Sequence, residues 1–550
     1  MQGQVAEITL KNLTLVNFLI GSLRYLNMKK ILLAFFASFL FMGAHAQQTV
    51  CEFTVDMQNL LDLVSASDTV GNVGYVFQSK KGYEFVYLSP DLRVEKTLFT
   101  DKVTYSKGDE LEGAVVYNDN FTAYLYNKNQ GYIATLSTEK NSDVSKYSRP
   151  ATLAKHENYL ISFSMKGLYY VLVVPQNANK LKVLTFDRGE KIDEHTYDIE
   201  MPTFFAELAA NNTLLNHGVK SNVGIEEIRY DVENNIKSSY AEKKLYHING
   251  KIHLVFDDPN TTHLIVIDPA EHHAVYKKLN FSLERGNTNR EKQGNSFMYY
   301  NRLFRATMSP EELNITILDL DAMEMINNYN IYPDKAIEIN NGPVVQEGGG
   351  SLFSAEEKTI KKPEQYFRKV LNSNLAIAAN KIEGDKYEVE VGSYDEVIYN
   401  NGGGMGGGGF GGPGLSIGMG MGGMGMGMGG MGMGGMGMGG MGMGGMGMGY
   451  GGMGMGGMGY GYPGYYPSSA GRSNRINVVY FKTLMDNTDF THLEGTVPVT
   501  VREKINEYET QNLRNTSPDF IKISPYNENT LLAYYTKQHK QFRIVKFQQP

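Results

Sequence analysis

Regularly spaced methionine sulfurs are the first candidates for chemistry in this sequence. The pentapeptide Met-Gly-Met-Gly-Gly occurs three times in succession, at 431–435, 436–440 and 441–445. Thioether sulfurs bind Cu(I), and the intervening glycines would let several sulfurs approach one ion. The candidate soft-metal ligands are therefore Met431, Met433, Met436, Met438, Met441 and Met443.

The segment that carries these methionines supports three other interpretations. Residues 402–464 contain no charged side chain, and glycine dominates their composition. Ordering glycine costs more backbone entropy than ordering any other residue, so we expect this insert to be disordered. It could be a repeat expansion without selected chemistry, an adaptable contact surface, or a site of sacrificial methionine oxidation. The insert has no His or Cys that would strengthen a copper site, and all four interpretations stay open.

Other residue types that could support catalysis or metal binding lie in strands and turns. The acidic turn at 257–260 offers oxygen ligands for Ca²⁺, but such residues more often bind turn backbone amides. Asp319 and Asp321 are two residues apart, which is typical of a strand that ends in a polar turn. His253 alternates with apolar neighbours, so we expect it to face solvent or a neighbouring sheet. No H-E-x-x-H, phosphate-loop or EF-hand motif occurs, and the sequence identifies no catalytic residue.

Composition limits the classes of partner and the cellular compartment. The chain has 550 residues, with 52 basic and 59 acidic side chains and a formal charge of −7. It contains no basic stripe, so we expect no nucleic-acid partner. Its single cysteine, Cys51, excludes a disulfide within the chain, and we expect it to be a buried small apolar residue of the first strand.

The start of the sequence has the pattern of a secretory signal peptide. Met28-Lys29-Lys30 precedes a short apolar run, and Ala44-His45-Ala46 supplies small residues before a cleavage site. We therefore predict a signal peptide at 28–46, with an over-long start at 1–27. The alternative is a membrane hairpin formed by 13–23 and the second apolar run. The signal peptide predicts an extracytoplasmic protein of a Gram-negative bacterium, with no permanent membrane span after cleavage.

The rest of the chain alternates between strands and turns. The dipeptide Asn249-Gly250 between two apolar runs is a strong hairpin signal, since both residues tolerate positive φ. Helical patterns are sparse and predict short connectors near Pro363–Leu371 and Val501–Thr510. Similar groups of strands recur at 74–99, 114–136, 159–197, 245–279, 297–331, 375–397 and 529–547.

The recurrence predicts an all-β protein, a β-propeller of about seven or eight blades over 47–550. Residues 402–471, which contain the Gly/Met/Tyr-rich insert, would interrupt a late blade, and a degenerate blade is expected in 202–239. Since one blade cannot bury both of its faces, neighbouring blades must pack around an axis. In this rhythm the chain resembles secreted β-propeller proteins of Gram-negative bacteria. Tandem β-sandwiches are the alternative fold.

The two ends of the mature chain suggest how such a ring would close. Val50–Val55 and Phe542–Phe547 both have strand patterns, and pairing them in one blade would join the ends of the ring. Under this hypothesis, a cysteine at Ile544 should crosslink to Cys51.

The leading functional prediction is a non-enzymatic binding or structural interaction module. Its partner would be a protein or glycan of the cell envelope. One alternative is a secreted hydrolase or lyase that acts on polysaccharide through carboxylates at the channel; another is a Cu(I)-handling protein that uses the insert. Converging carboxylates would favour the enzyme, whereas a plugged apolar channel would favour the binding module.

Overall fold

Strands make up most of the residues that the computed structural model describes. The described residues are 47–55, 60–101, 109–117, 119–176, 178–204, 225–229, 231–285, 292–348, 358–382, 384–400, 472–513, 518 and 520–548. Within these ranges the strands form seven sheets of four or five strands each. The predicted signal peptide, the over-long start and the insert 402–464 lie outside the described residues.

The first three sheets are each built from four consecutive antiparallel strands. A preceding strand is β1 (Gln47–Thr54). Blade 1 contains β2 (Leu60–Ser67), β3 (Val73–Ser79), β4 (Gly82–Leu88) and β5 (Val94–Thr100). Blade 2 contains β6 (Asp109–Tyr117), β7 (Asn120–Asn127), β8 (Tyr132–Glu139) and β9 (Ser145–Thr152). Blade 3 contains β10 (Glu157–Met165), β11 (Leu168–Pro175), β12 (Lys180–Asp187) and β13 (Glu190–Asp198).

Blades 4 and 5 repeat this order, and blade 4 has one additional strand. Blade 4 contains β14 (Glu226–Glu227), β15 (Lys243–Ile248), β16 (Lys251–Asp258), β17 (Thr261–Asp268) and β18 (His273–Asn280). Blade 5 contains β19 (Gln293–Tyr299), β20 (Arg302–Met308), β21 (Leu313–Asp319) and β22 (Glu324–Ile331).

The last two blades depart from this order: blade 6 has five consecutive strands in a rearranged order, and blade 7 takes one strand from the start of the chain. Blade 6 contains β23 (Val344–Gly348), β24 (Lys358–Ile360), β25 (Asn374–Ile382), β26 (Lys386–Asn400) and β27 (Arg472–Asp486). Blade 7 contains β28 (Phe520–Tyr526), β29 (Asn529–Thr536) and β30 (Gln541–Gln548), and β1 is its fourth strand. The seven recurring segments of the sequence therefore correspond to the seven sheets found in the described residues.

Burial varies across each blade in the way that radial packing requires. Every residue of β3 and β4 is buried, whereas β5 exposes several side chains on the outer edge of blade 1. Middle strands are covered on both faces by neighbouring blades, and outer strands face solvent. This decrease in burial toward the outer strand explains why apolar strands and polar strands alternate in the sequence.

Neighbouring blades pack on each other from blade 7 through blade 1 to blade 6. Tyr75 of blade 1 packs on Phe542 of blade 7, with 4.7 Å between ring centroids. The other contacts between consecutive blades include the pairs Phe85–Phe121, Tyr124–Tyr169, Phe163–His247, Tyr246–Phe297 and Phe304–Tyr387. The helix Val501–Tyr508 connects blades 6 and 7, because its Glu503 pairs with Lys482 of blade 6 and its Val501 and Ile505 pack on blade 7. The chain is a β-propeller, and the tandem-sandwich alternative is wrong.

The first strand closes the ring, as the sequence predicted. β1 pairs antiparallel with β30, and Cys51 lies opposite Ile544. Cys51 is half-buried against the apolar cluster between blades 7 and 1. Strand addition from the far end of the chain thus replaces a covalent connection between the last blade and the first.

Blade 6 contains a hairpin that is longer than the blade itself. β26 and β27 pair in continuous register from Lys386 with Asp486 to Asn400 with Arg472. The neighbouring strand β25 pairs with β26 only up to Tyr394, and β23 pairs with β27 only down to Asn477. The last five pairs therefore form a two-stranded ribbon, about 17 Å long at about 3.3 Å per residue. Residues 401–471 connect its two strands.

A segment between blades 3 and 4 enters the centre of the ring. This channel segment comprises residues 225–229 and 231–242. β14 pairs in parallel with the inner strand β15, and the following residues contact the inner strands of blades 5 and 6. It includes a four-residue helix, α1 (Ile236–Ser239), whose N-terminus is capped by Asn235. The described part of 202–239 therefore forms no blade, contrary to the prediction of a degenerate one there.

The two predicted helical connectors are present. α2 (Pro363–Leu371) starts at Pro363, as the sequence indicated, and α3 (Val501–Tyr508) is capped by Thr500 and Glu503. A π-helical turn at Glu509–Leu513 extends α3. Among the described residues, no helix is both long and apolar enough to cross a lipid bilayer.

Candidate functional site

The central channel contains a cavity of about 410 Å³, which is the candidate site. Its wall is formed by the inner strands β2, β6, β10, β15 and β28 together with the start of the channel segment. Small and hydroxyl-bearing residues leave this space open; they include Ser65, Gly113, Ala114, Ser162, Ser164 and Ser524. A volume of this size is typical of a site for a small molecule.

The backbone of the inner strands also faces this cavity. β2, β6, β10 and β28 each end their sheets, so one edge of each strand has no partner strand within the described chain. β15 differs, because β14 pairs with its inner edge at Glu226 and Glu227. Unpaired strand edges present backbone N–H and C=O groups to a ligand or to water.

The cavity and the ribbon of blade 6 lie toward opposite ends of the ring. In an antiparallel blade, the turns after the first and third strands lie at one end, and the turn after the second strand lies at the other. The cavity reaches the first-to-second turns at Lys166–Gly167 and Asn249–Gly250. β26 is the second strand of blade 6, so the ribbon that it forms with β27 extends from the other end.

Glu112 enters the cavity from a β-bulge. The register of β6 with β7 shifts between Leu111 and Gly113, which makes Glu112 the extra residue. Bulges redirect side chains and are frequent beside functional sites. Burial raises the pKa of Glu112 to about 7, although a hydrogen bond from the Tyr159 hydroxyl lowers it. The carboxyl group therefore titrates near neutral pH.

Tyrosine side chains position Glu112 and the neighbouring Ser162 through hydrogen bonds. The Tyr159 hydroxyl donates to Glu112 Oε2 at 2.7 Å and also lies 2.7 Å from Ser162 Oγ. Ser162 in turn contacts the Tyr169 hydroxyl. A side chain at Gly113 would place its Cβ 2.9 Å from Tyr169 Cε2, so glycine is required for the ring to lie there. Two stacked pairs, Tyr124–Tyr169 and Tyr126–Tyr159, fix these rings from behind.

Most of the remaining charged residues around the cavity lie beside groups of opposite charge; Lys166 instead donates to the carbonyl oxygen of Asn249. His247 Nε2 lies 3.0 Å from Glu227 Oε1, and the Arg229 guanidinium makes two hydrogen bonds to Asp231, at 3.1 and 2.8 Å. Burial lowers the pKa of Lys522, while the charge of Asp62 opposes that shift.

Asp62 and Glu226 lie close to the cavity and titrate above their usual range. Burial raises the pKa of Asp62 to about 6, and the charge of Lys522 partly offsets this effect. Burial, assisted by the adjacent charge of Glu227, raises the pKa of Glu226 to about 7. The channel is therefore partly filled by the chain itself and polar in its remaining space. It shows neither the converging carboxylates expected of an enzyme in a wide funnel nor the plugged apolar channel expected of a binding module.

A second polar cluster attaches the channel segment to blade 6 and α3. Lys482 Nζ lies 2.6 Å from Glu388, 3.5 Å from Glu390 and 2.9 Å from Glu503. The backbone amide of Ile236 donates to Glu390, and Arg502 donates its amide to Glu233. The enclosed space here is only about 40 Å³, which is too small for an organic ligand. This cluster holds the segment in place.

The residues that the sequence singled out elsewhere have structural roles. Asp319 accepts hydrogen bonds from the amides of Asp321 and Ala322, as expected of a strand that ends in a polar turn. Asp257 is fully buried and pairs with Arg305 and Lys244 between blades 4 and 5.

The histidine and methionine candidates have different outcomes. His253 is on the other face of its strand from Ile252 and Leu254. It therefore faces blade 5, and a neighbouring sheet was one of the two environments expected. Burial lowers its pKa to about 4. The six candidate soft-metal methionines lie outside the described residues, so the structure brings none of them together. Among described residues, no group of three or more His, Cys, Asp or Glu is arranged to hold a metal ion.

Sequence reasoning did not identify the cavity residues. Glu112, Tyr159, Asp62 and Lys522 come from four blades and have no common motif. The one local signal is the acidic start of β6, where Asp109, Glu110 and Glu112 precede a more apolar run. The bulge at Glu112 depends on the register with β7.

No protein-family model matches this chain, and no curated protein matches it in sequence. Among solved structures, it is similar to the Dos1 propeller, with 10% identity over 62% of this chain and 71% of that chain and a TM-score of 0.26. The WD40 domain of SCAP from fission yeast is 9% identical over 63% of this chain and 69% of that chain, with a TM-score of 0.28. The Nup133 β-propeller domain of Vanderwaltozyma polyspora is 10% identical over 52% and 78%, with a TM-score of 0.24. At this similarity nothing about function is transferred.

Proposed function

We propose that the protein is an extracytoplasmic β-propeller that serves as a binding or structural interaction module. Its contact arm is the Gly/Met-rich insert 402–464, and its partner is a protein or glycan of the cell envelope. The proposal places the mature chain outside the inner membrane after cleavage of the signal peptide at 28–46.

The single observation that supports this proposal is the ribbon formed by β26 and β27. It continues for five residue pairs beyond the strands that flank it in blade 6. A ribbon of this kind carries the attached insert away from the body of the propeller. Its two edges lack a third strand within the described residues, and free strand edges are sites of strand addition by a partner.

The composition of the insert suits a contact arm. It has no charged residue, so no ionic repulsion opposes contact with a partner. Methionine side chains are unbranched and polarizable, and adaptable binding surfaces use them often. A rigid ring that carries an adaptable arm would present one contact surface to partners of different shape.

Site-specific photo-crosslinking in cells tests the proposal. A crosslinking amino acid at Met436 should capture an envelope component, whereas one at Ile192 should not. Ile192 is the matched control, because it is 57% exposed on the outer strand of blade 3. Adducts at neither position, or a chain that keeps residues 28–46, would refute the proposal.

A Cu(I)-handling role predicts a different measurement. If the methionines of the insert gather copper, the mature chain should bind more Cu(I) equivalents than a chain that lacks 402–464. The contact-arm proposal expects equal stoichiometry for the two chains.

One observation favours a hydrolase or lyase as the second candidate. Glu112 has a pKa of about 7 inside a cavity that Glu227 and Asp231 also line. A carboxyl group that is protonated near neutral pH can act as a general acid. If the protein is such an enzyme, it should release reducing ends from envelope polysaccharide, and Glu112→Gln should abolish this release.

A further inference from the structure

The charge balance of the channel cavity is uneven. Each cation that lines it already contacts an acceptor or lies beside a carboxylate. Arg229 is bound to Asp231 by two hydrogen bonds, Lys166 Nζ lies 3.3 Å from the carbonyl oxygen of Asn249, and Lys522 interacts with Asp62. The cavity therefore offers an anionic ligand no cation that is without a partner.

Glu112 is the exception among the carboxylates. Its contact within the described chain is the hydroxyl of Tyr159, which is neutral, and no described lysine, arginine or histidine forms an ion pair with it. The nearby Lys128 is bound to Glu110 instead. The carboxylates Glu227 and Asp231 are bound to His247 and Arg229. One wall of the cavity thus carries a carboxylate without a counter-ion.

The surroundings of Glu112 suit an ammonium group. An ammonium has three N–H donors and needs several acceptors around it. The Glu112 carboxylate, Ser162 Oγ and the unpaired edges of β6 and β10 supply oxygen acceptors on one side of the cavity. A metal ion fits less well, because no described cluster of three or more His, Cys, Asp or Glu has the arrangement to hold one.

We infer that the channel cavity binds a small organic molecule through a primary ammonium group, with the carboxylate of Glu112 as its counter-ion. The cavity volume of about 410 Å³ leaves room for the rest of a small ligand between the inner strands of blades 1, 2, 3 and 7. This site is separate from the contact arm and does not depend on it.

Binding should release a proton near neutral pH. The ammonium prefers ionised Glu112, and a group with a pKa of about 7 is half protonated at pH 7. The affinity should therefore rise about tenfold between pH 6 and pH 8, as the ionised fraction does. The titratable and charged groups that face Glu112 are Glu110, Asp62, Lys128, Tyr126, Tyr159 and Tyr169.

Isothermal titration calorimetry with three matched probes tests the inference. The probes are 5-amino-1-pentanol, the neutral 1,5-pentanediol and the anionic 5-hydroxypentanoate. We expect binding of the amine alone, with a heat that changes with the ionisation enthalpy of the buffer because a proton is released. Stronger binding of the anion, equal binding of the diol, or an affinity that does not change with pH would overturn the inference.

Two variants locate the site within the cavity. Glu112→Gln should lose amine binding and proton release, while Glu110→Gln, two residues away on the same strand, should keep both. If Glu112→Gln fails to fold, Tyr159→Phe is the second variant. Loss of the phenol hydrogen bond should move the pH midpoint of amine binding upward, and an unchanged midpoint would count against Glu112 as the counter-ion.

Discussion

Glu112 shows how one residue couples the fold to pH. Its pKa is raised in the folded chain from 4.5 to about 7, with burial as the main cause. The folded protein therefore favours the protonated form, and ionisation destabilises it progressively as the pH rises from about 4.5 to about 7. Above that range the full destabilisation is present.

Glu112→Gln should therefore stabilise the protein in a pH-dependent way. We expect a higher melting temperature than wild type at pH 8 and little difference at pH 5, because glutamine cannot ionise. Thermal denaturation at the two pH values measures this effect. Glu110→Gln is the control, and an equal gain at pH 5 and pH 8 would contradict the argument.

Arg305 is a fully buried charged residue of blade 5. Its Nη1 lies 2.6 Å from Asp257 Oδ1, and both side chains are completely inaccessible to solvent. Its Nη2 atom donates to the backbone carbonyl oxygens of Asp258 and Pro259. These bonds fix the turn of blade 4 against blade 5.

Arg305→Ala should cost about 3–5 kcal/mol of unfolding free energy, since it leaves Asp257 buried with fewer partners. The control is Arg302→Ala on the same strand, whose partner Asp319 is partly exposed. Solvent screens such a pair, so its loss should cost much less than loss of the buried pair. Denaturant titration of both variants measures the difference, and comparable losses would show that burial of the pair is not decisive.

Local residue chemistry was visible in the sequence, and contacts between blades were not. Asn249 and Gly250 have φ values of 55° and 86°, as the hairpin prediction requires. Asp257 looked like a turn residue, but its partner Arg305 lies 48 positions away. No spacing rule connects two such residues, because the packing of blade 4 on blade 5 brings them together.

At the scale of elements, the pairing of β1 with β30 is the feature that completes the propeller. Cys51 lies directly opposite Ile544, and side chains on opposite residues of antiparallel strands have Cβ atoms about 4.5–5.5 Å apart.

Ile544→Cys should therefore form a disulfide with Cys51 under mild oxidation and raise the melting temperature. A bond that links the two ends of the chain typically contributes about 2–4 kcal/mol. Lys546→Cys is the control, because its partner is Gln48 rather than Cys51. Mobility on non-reducing gels detects the bond, and crosslinking of both variants would argue against the register.

The ribbon of blade 6 allows the insert to be removed cleanly. Asn400 and Arg472 are paired, so a two-residue Asn-Gly turn in place of 401–471 should join the strands. We expect the melting temperature to stay equal or to rise, since a shorter loop costs less closure entropy. Circular dichroism during heating measures this, and a marked loss of stability would mean that the insert supports the fold.

Sequence patterns predicted elements where local periodicity or turn chemistry specified them. Pro363 marked the start of α2, and the recurring strand groups matched the blades. The two-residue strand β14 and the displaced strands β23 and β24 had no such signal. β14 and β24 pair with strands that are close in sequence, whereas β23 pairs with the remote strand β27, so its place in blade 6 depends on the assembled sheet.

At the scale of the whole molecule, the two ends of the described chain are neighbours. Gln47 pairs with Phe547, so a short linker between β30 and β1 would form an ordinary hairpin. Termini that lie close together permit circular permutation.

A permuted chain with new termini inside 401–471 and a short linker from β30 to β1 should fold with a melting temperature near that of the parent. The control permutant has its new termini inside β3, between Val76 and Phe77, which are both buried between blades. It should be much less stable. Circular dichroism compares the two, and similar stabilities would contradict the burial argument.

The shared blade has a consequence for incomplete products. Its outermost strand is synthesised first and its other three strands last. In a nascent chain that stops before β28, β1 has no strand to pair with. Apolar side chains of blade 1, such as Tyr75 and Phe77, are then exposed to solvent. Truncated polypeptides should therefore aggregate and be degraded easily. The sharing of one blade between the two ends of the chain thus distinguishes complete polypeptides from prematurely terminated ones.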